Sequence, residues 1–281
     1  MVEIVLTARK GFGVFATEHI KRGTRILAED ALVAIAPGTT DNLEIHKELE
    51  KELPKLSTAQ LNALSELHCR GDMVDPQARN IIRSRLVSNK QYHGHALDLA
   101  VEERLKIHAI FNTYSVNMGH ERQWGTGVFP VYSRINHSCA PNVDNRYNAA
   151  IGKETVRAVR DIAKGEEILT SYTGVLHTYE QRASKLQRYG FQCDCEAYEG
   201  PKAIEHEARR QRLSELDEVF DILDSLEEGD SQSAILPEDA VQALMWAEER
   251  VALLKEEGLL GMRLADASVS RSNARLNRVD C

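Results

Sequence analysis

Apolar residues change period three times along the chain. Val2–Leu6 and Val14–Ala16 read as short strands around a glycine-punctuated loop, Arg9-Lys10-Gly11-Phe12-Gly13. Ile20–Gly23 reads as a turn and Thr24–Ile35 as a further strand, closed by Pro37-Gly38. Between residues 41 and 115 the period becomes helical. Leu43, Leu49, Leu53, Leu56, Leu61, Leu64 and Leu67 recur among Glu and Lys, with Ser57-Thr58 as a cap region, and Leu97–Thr113 predicts a long helix. Short strand patterns return from Gly125 to Tyr172: Val128-Phe129, Val143, Tyr147, Thr155–Val159 and Ile168–Tyr172. Strands this short predict several small sheets. Tyr179–Tyr189 reads as a helix. Beyond Gly200-Pro201 two apolar stripes follow, one from Leu213 through Leu216, Val219, Phe220 and Leu223 to Leu226. The other begins after Pro237 with Val241, Leu244, Met245, Val251 and Leu254. The expected architecture is α+β: a β-rich part over 2–40 and 110–198, a helical insertion over 41–109 and a helical region over 199–281.

Composition narrows the function. Of 281 residues, 42% are hydrophobic and 28% charged, which is ordinary for a globular protein. The net charge is −8, which argues against general nucleic-acid binding, since phosphate contacts need a basic face. The acidity is concentrated: Glu196–Leu260 holds 18 acidic and 6 basic residues. Such a surface suits a basic peptide. No run of about 18 apolar residues exists, and the first residues lack a secretory pattern. The expectation is an intracellular protein, cytoplasmic or nuclear, without membrane contact and monomeric. Five cysteines, Cys69, Cys139, Cys193, Cys195 and Cys281, make a disulfide framework a poor expectation. Cys193 and Cys195 form a C-x-C pair of the kind used for metal or redox work, or else two unrelated thiols.

Each motif is weak alone. Gly11-x-Gly13 lacks the third glycine of a dinucleotide site. An Asn-His pair or a strand tyrosine is ordinarily structural. Their order is specific: Gly11-Phe12-Gly13, then Asn136-His137-Ser138-Cys139-Ala140-Pro141-Asn142, then Gly165-Glu166-Glu167-Ile168-Leu169-Thr170-Ser171-Tyr172, then Phe191-Gln192-Cys193-Asp194-Cys195. This series resembles the SET domain of protein lysine methyltransferases. With its helical insertion and trailing cysteines, the chain resembles the SET-and-MYND (SMYD) group, and more closely its fungal-type relatives without the MYND finger. The insertion holds only Cys69, and His93-x-His95 reads as a polar loop.

The resemblance implies S-adenosylmethionine as methyl donor, a channel for a protein lysine and a pseudoknot-like crossing of the Asn136-His137 segment near the strand of Tyr172. Carried over by position, Tyr172 is the catalytic tyrosine. Lys10, Phe12, Asn112, Asn136, His137 and Phe191 are cofactor contacts, with Phe12 standing where the family often has Asn. Tyr189 joins Tyr172 in the lysine channel, and Phe191 also belongs to these aromatic walls. The substrate would be a lysine-bearing protein or peptide, with a basic, histone-like one in keeping with the charge. The family's post-SET zinc maps onto Cys139, Cys193 and Cys195, but its fourth position is Tyr198. Either another group, such as water, Cys281 or His206, closes the site, or the segment packs through Phe191 without metal. Two other readings stay open: a non-catalytic SET module that binds proteins, and a SET fold acting on a small molecule.

Overall fold

The N-terminal pattern folds as a hairpin, in which β1 (Val2–Thr7) pairs antiparallel with β2 (Gly11–Ala16), Val2 opposite Ala16 and Thr7 opposite Gly11. The loop is shorter than the sequence indicates, because Gly11 already occupies the first position of β2. Its φ of +70° is one that a side chain disfavours. The structure, a computed structural model, describes residues 1–8, 10–39, 41–68, 75–88, 92–225 and 240–279. Arg9, Cys69, Leu226, Pro237 and Cys281 lie outside the described residues, as does the side chain of Leu223.

The single strand expected over Thr24–Ile35 is two strands in two sheets. β3 (Arg25–Glu29) pairs with a late strand, Lys153–Ala158, whereas β4 (Val33–Ile35) pairs with Thr126–Val128. The break is held at both sides: the Glu29 carboxylate accepts from the N–H groups of Val131 and Tyr132, and the Leu32 N–H donates to the Val128 carbonyl. With β5 (Val116–Asn117), β6 (Thr126–Val128), β7 (Asn136–His137), β8 (Val143–Asn148), β9 (Lys153–Ala158) and β10 (Glu167–Thr170), three sheets form. Their strand orders are β1-β2-β10-β7, β3-β9-β8 and β4-β6-β5. They enclose Val14, Ile20, Phe129, Ile135, Val156, Ile162 and Ile168. Each such burial contributes roughly 1.5–3 kcal/mol relative to exposure.

The leucines at helical spacing build the insertion. α1 (Asn42–Glu52), α2 (Thr58–Ser65), α3 (Pro76–Ser88) and α4 (Gly94–Tyr114) follow in order. Ser57 caps α2 reciprocally with Gln60. Leu49, Leu53, Leu64 and Leu67 pack against Val33, Ile35, Phe111 and Val128, which seats the insertion on the third sheet. Inside it, His46 Nδ1 faces His108 Nδ1 at 2.8 Å, while their Nε2 atoms meet Asp75 and Glu50. That is a hydrogen-bond distance. Two nitrogens on one tetrahedral zinc would stand about 3.3 Å apart.

After α5 (Tyr179–Gln187) and the short α6 (Glu196–Glu199), the tail forms α7 (Ala203–Ser225), α8 (Ala240–Glu256) and α9 (Met262–Val279). Leu213, Leu216, Phe220, Leu244, Val251 and Leu254 are buried as the stripes predict. Val241 and Met245 are not. They lie on the exposed side of α8, and Ala247 takes the inner position. No helix among the described residues is long and apolar enough to cross a membrane.

Candidate active site

β7 is only two residues long, and it runs parallel to β10, with Asn136 opposite Leu169 and His137 opposite Thr170. The Ser138 N–H donates to the Thr170 carbonyl at 2.9 Å. Beyond the turn, Asn142 serves β10 as a surrogate strand: its Nδ2 donates to the Glu167 carbonyl at 2.7 Å, and its Oδ1 accepts the Leu169 N–H at 2.7 Å. The segment 136–142 is thereby fastened to β10 along both backbone and side chain, which realises the expected crossing.

On the other flank of β10 lies β2. Asn136 Nδ2 donates to the Phe12 carbonyl at 3.1 Å and to Glu167 Oε1 at 2.8 Å. A Cβ on Gly13 would stand 2.8 Å from Glu167 Oε1 and 3.1 Å from Asn136 Nδ2, so this approach requires glycine. Lys10 Nζ lies 3.9 Å from carboxylate oxygens of both Glu167 and Asp194. The Arg134 guanidinium sits 4.8 Å from the Phe12 ring centroid, a cation–π geometry. Phe12 thus gives the site a flat cationic-aromatic surface and a backbone carbonyl.

Tyr172 stands two residues past β10, where the crossing delivers it beside Ile135. Its hydroxyl donates to the Ile135 carbonyl at 2.7 Å. Its ring centroid is 4.9 Å from that of Tyr189, 5.4 Å from His137 and 6.2 Å from Phe191. Burial pushes the phenol of Tyr172 above its ordinary range, and that of Tyr189 upward as well. His137 Nδ1 accepts the Tyr172 backbone N–H at 3.0 Å, which leaves its ring proton on Nε2, 3.4 Å from Cys139 Sγ. Burial, the dominant cause, lowers the His137 pKa to about 4, so the ring is neutral at pH 7.

These groups line one cavity of about 670 Å³, within the range of small-molecule sites. Lys10, Phe12, Asn136, His137, Tyr172, Tyr189, Phe191 and Cys193 all contribute to it. Asn112 does not: the end of α4 supplies Thr113 and Tyr114 instead. The insertion adds Glu66 and His68, and β1 adds Leu6. No local motif marks these three, because only the fold brings α2 and the hairpin to the same wall. Arg134 carried a weak signal, as a cation two residues before Asn136.

At the cavity's edge, three thiols converge, Cys193 being one of its lining residues. Cys139 Sγ and Cys193 Sγ are 3.9 Å apart, far from the roughly 2 Å of a disulfide but close to the about 3.8 Å between two sulfurs on one tetrahedral zinc. Cys195 is in hydrogen-bonding contact with both. Those contacts, the one with Cys139 foremost, pull its thiol well below the usual range, while the contact with Cys193 pushes Cys139 up. His137, Cys139 and Cys193 place their donor atoms within 4.8 Å of one another. The His137 lone pair is already committed to Tyr172 through Nδ1, so Nε2–H serves as a donor to sulfur.

Tyr198 does not complete the set. Its ring packs on Tyr179 at 4.6 Å between centroids, and burial with the Tyr179 hydrogen bond raises its phenol to about 12. His206 is engaged with Glu257 at 2.8 Å. His93 and His95 are exposed at the start of α4, outside any donor cluster among the described residues.

Comparison with known proteins gives the family. A family model described as "SET domain" matches residues 11–173, more than half of the chain and from the first glycine to the residue after Tyr172. The chain belongs to the SET-domain family. N-lysine methyltransferase SMYD2 of Bos taurus is 29% identical over 141 residues, 49% of this chain and 32% of that protein. Histone-lysine N-methyltransferase set5 of Schizosaccharomyces pombe is 36% identical over 107 residues, 34% of this chain and 33% of that protein. The chain spans about a third of the length of these curated relatives. Its mixed α+β architecture of small sheets and helices is that of the family.

Proposed function

We propose that the chain transfers a methyl group from S-adenosylmethionine to a lysine ε-amine of a protein. The observation that carries this reading is the Tyr172–Ile135 hydrogen bond at the wall of a cavity that also receives Lys10, Phe12, Asn136 and His137. The relatives' names support lysine as the acceptor.

The cavity's lining fits the methyl donor: an amide (Asn136), carbonyls, and a cation–aromatic pair suited to a planar base. S-adenosylmethionine, when bound, supplies an electron-poor methyl on a sulfonium. Asn136 and the Phe12 carbonyl would hold its amino-acid end, and His137 and Phe191 would flank it. Tyr172 stays protonated, because burial disfavours phenolate. It is therefore a fixed dipole and not a base. Its hydrogen goes to Ile135, which leaves the oxygen's lone pairs free to orient an amine and face developing positive charge. The incoming lysine must shed its proton to solvent water before the S–CH3 bond breaks and the N–CH3 bond forms. Walls made by Tyr172, Tyr189 and Phe191 disfavour ammonium and lower its pKa. Positioning of a neutral amine then supplies several kcal/mol of the barrier reduction.

Zinc is the second group we infer. Cys139, Cys193 and Cys195 would hold it as thiolates, with His137 Nε2–H directed at Cys139, and it would pin the Phe191 segment under the cavity. The acidic stretch Glu196–Leu260 favours a basic, histone-like substrate. The test is incubation of the purified chain with isotopically labelled S-adenosylmethionine and core histones or lysine peptides. Label on lysine supports the reading, and label on a small molecule alone would favour the alternative acceptor. Absence of cofactor binding by calorimetry would reduce the chain to an interaction module.

A further inference from the structure

One side chain of the helical tail donates hydrogen bonds to both loops that flank the site. Arg210, on α7, is fully buried. Its Nη2 donates to the Cys139 carbonyl at 2.6 Å, its Nη1 to the Val175 carbonyl, and its Nε to Glu257 Oε2 at 3.1 Å. Cys139 lies two residues after His137, and Val175 three residues after Tyr172. One guanidinium therefore ties together the two loops that leave the crossing, one below β7 and one beyond β10.

Among the described residues neither carbonyl has a sheet partner, and the carbonyl of the wholly buried Cys139 needs a donor. Arginine offers several N–H groups in a planar fork, which lysine cannot reproduce. Its charge is met by Glu257, itself fully buried just beyond α8 and accepting also from His206 and Arg209 at 2.8 and 2.5 Å. Around this polar centre, Leu176 packs with Leu213, Val251, Leu254 and Leu264 of the tail. The loop after Tyr172 is thus part of the tail's own apolar core.

We propose that Arg210 is a positioning residue for the methyl-transfer site, resting on the function proposed above: the tail, through Arg210 and Glu257, fixes the spacing between the His137 and Tyr172 loops. Arg210 touches neither cofactor nor substrate. It acts by holding the His137 Nδ1···H–N Tyr172 contact, which spans the two loops it ties.

The test compares Arg210→Lys with Arg212→Gln, which removes a partly exposed ion pair to Glu249 on the same helix. Two readouts are taken on full-length protein well below its melting temperature. The first is the S-adenosylmethionine Kd by calorimetry. The second is the Nδ1 resonance of His137 in nitrogen-15-histidine-labelled protein. Arg210→Lys should weaken binding about ten-fold or more and move the His137 resonance, while Arg212→Gln leaves both unchanged. A folded Arg210→Lys protein with wild-type Kd and resonance overturns the proposal. Should Arg210→Lys not fold, Glu257→Gln answers the same question with a smaller change expected in the same direction, and no change overturns the proposal. If the wild type itself does not bind S-adenosylmethionine, the function proposed above fails. The resonance then still decides whether Arg210 sets the two loops.

Discussion

Tyr172 and Ile135, 37 residues apart in sequence, are joined by a 2.7 Å hydrogen bond from phenol to carbonyl across the β7–β10 crossing. That bond fixes both the direction of the hydroxyl's hydrogen and the placement of its lone pairs. Tyr172→Phe is accordingly expected to keep fold and cofactor affinity while lowering turnover by about two orders of magnitude, the scale for loss of one oriented polar group. Single-turnover kinetics alongside calorimetry would separate the two. Unchanged turnover would remove Tyr172 from the chemistry.

Asn136→Ala should weaken S-adenosylmethionine binding. Loss of a hydrogen bond to a charged group is worth about 1.5–3 kcal/mol, or roughly ten- to hundred-fold in Kd. The same amide joins Phe12 to Glu167, so a lowered melting temperature should accompany the loss. Wild-type affinity in the mutant would contradict the assignment.

The thiol cluster predicts about one zinc per chain in protein purified without chelator, lost in Cys193→Ser. Binding should release thiol protons and so weaken as pH falls. Tyr198, buried beside these thiols, lets a second variant probe the fourth position: Tyr198→Cys should slow zinc loss to chelator. Metal analysis below about 0.2 zinc per chain in ordered, cofactor-binding protein would show that the segment packs without metal.

Glu154 supplies a pH signature unconnected with the site's chemistry. It is fully buried on β9, with Oε1 accepting from Asn145 and Oε2 without a hydrogen-bond partner among the described residues. Burial, with Asp144 and Glu29 nearby, raises its pKa from 4.5 to about 7. A carboxyl raised on folding stabilises fully below the unfolded pKa and loses that contribution as pH rises through the folded one. Stability should therefore fall by about 3 kcal/mol between pH 4.5 and 7 from this group. Denaturant titrations of Glu154→Gln should lack that slope. An identical pH profile in the mutant would show that Glu154 ionises normally.

Much of this was legible in the sequence because it depends on local pattern. The leucines from Leu49 to Leu67 announce their helices and Ser57 its cap, while the crossing near Asn136 and Tyr172 came only as what the family resemblance implies. What was hidden depends on long-range pairing. The β-branched and apolar residues through Thr24–Ile35 could not show that β3 and β4 find different partners. A two-residue strand such as β7 has no periodicity to read. The turn that sends Thr113 and Tyr114, and not Asn112, into the cavity is set by how α4 docks. Arg210 looked like any helix-surface arginine, since nothing near it in sequence mentions Cys139 or Val175.

Transfer itself is the most direct test. Wild type and Tyr172→Phe would be incubated with deuterated-methyl S-adenosylmethionine and a core-histone preparation, and lysine methylation read by mass spectrometry. The account predicts deuterated methyl groups on lysine with wild type and about a hundred-fold less with the mutant. Equal labelling by both, or cofactor binding by wild type with no transfer to any protein lysine, would contradict it.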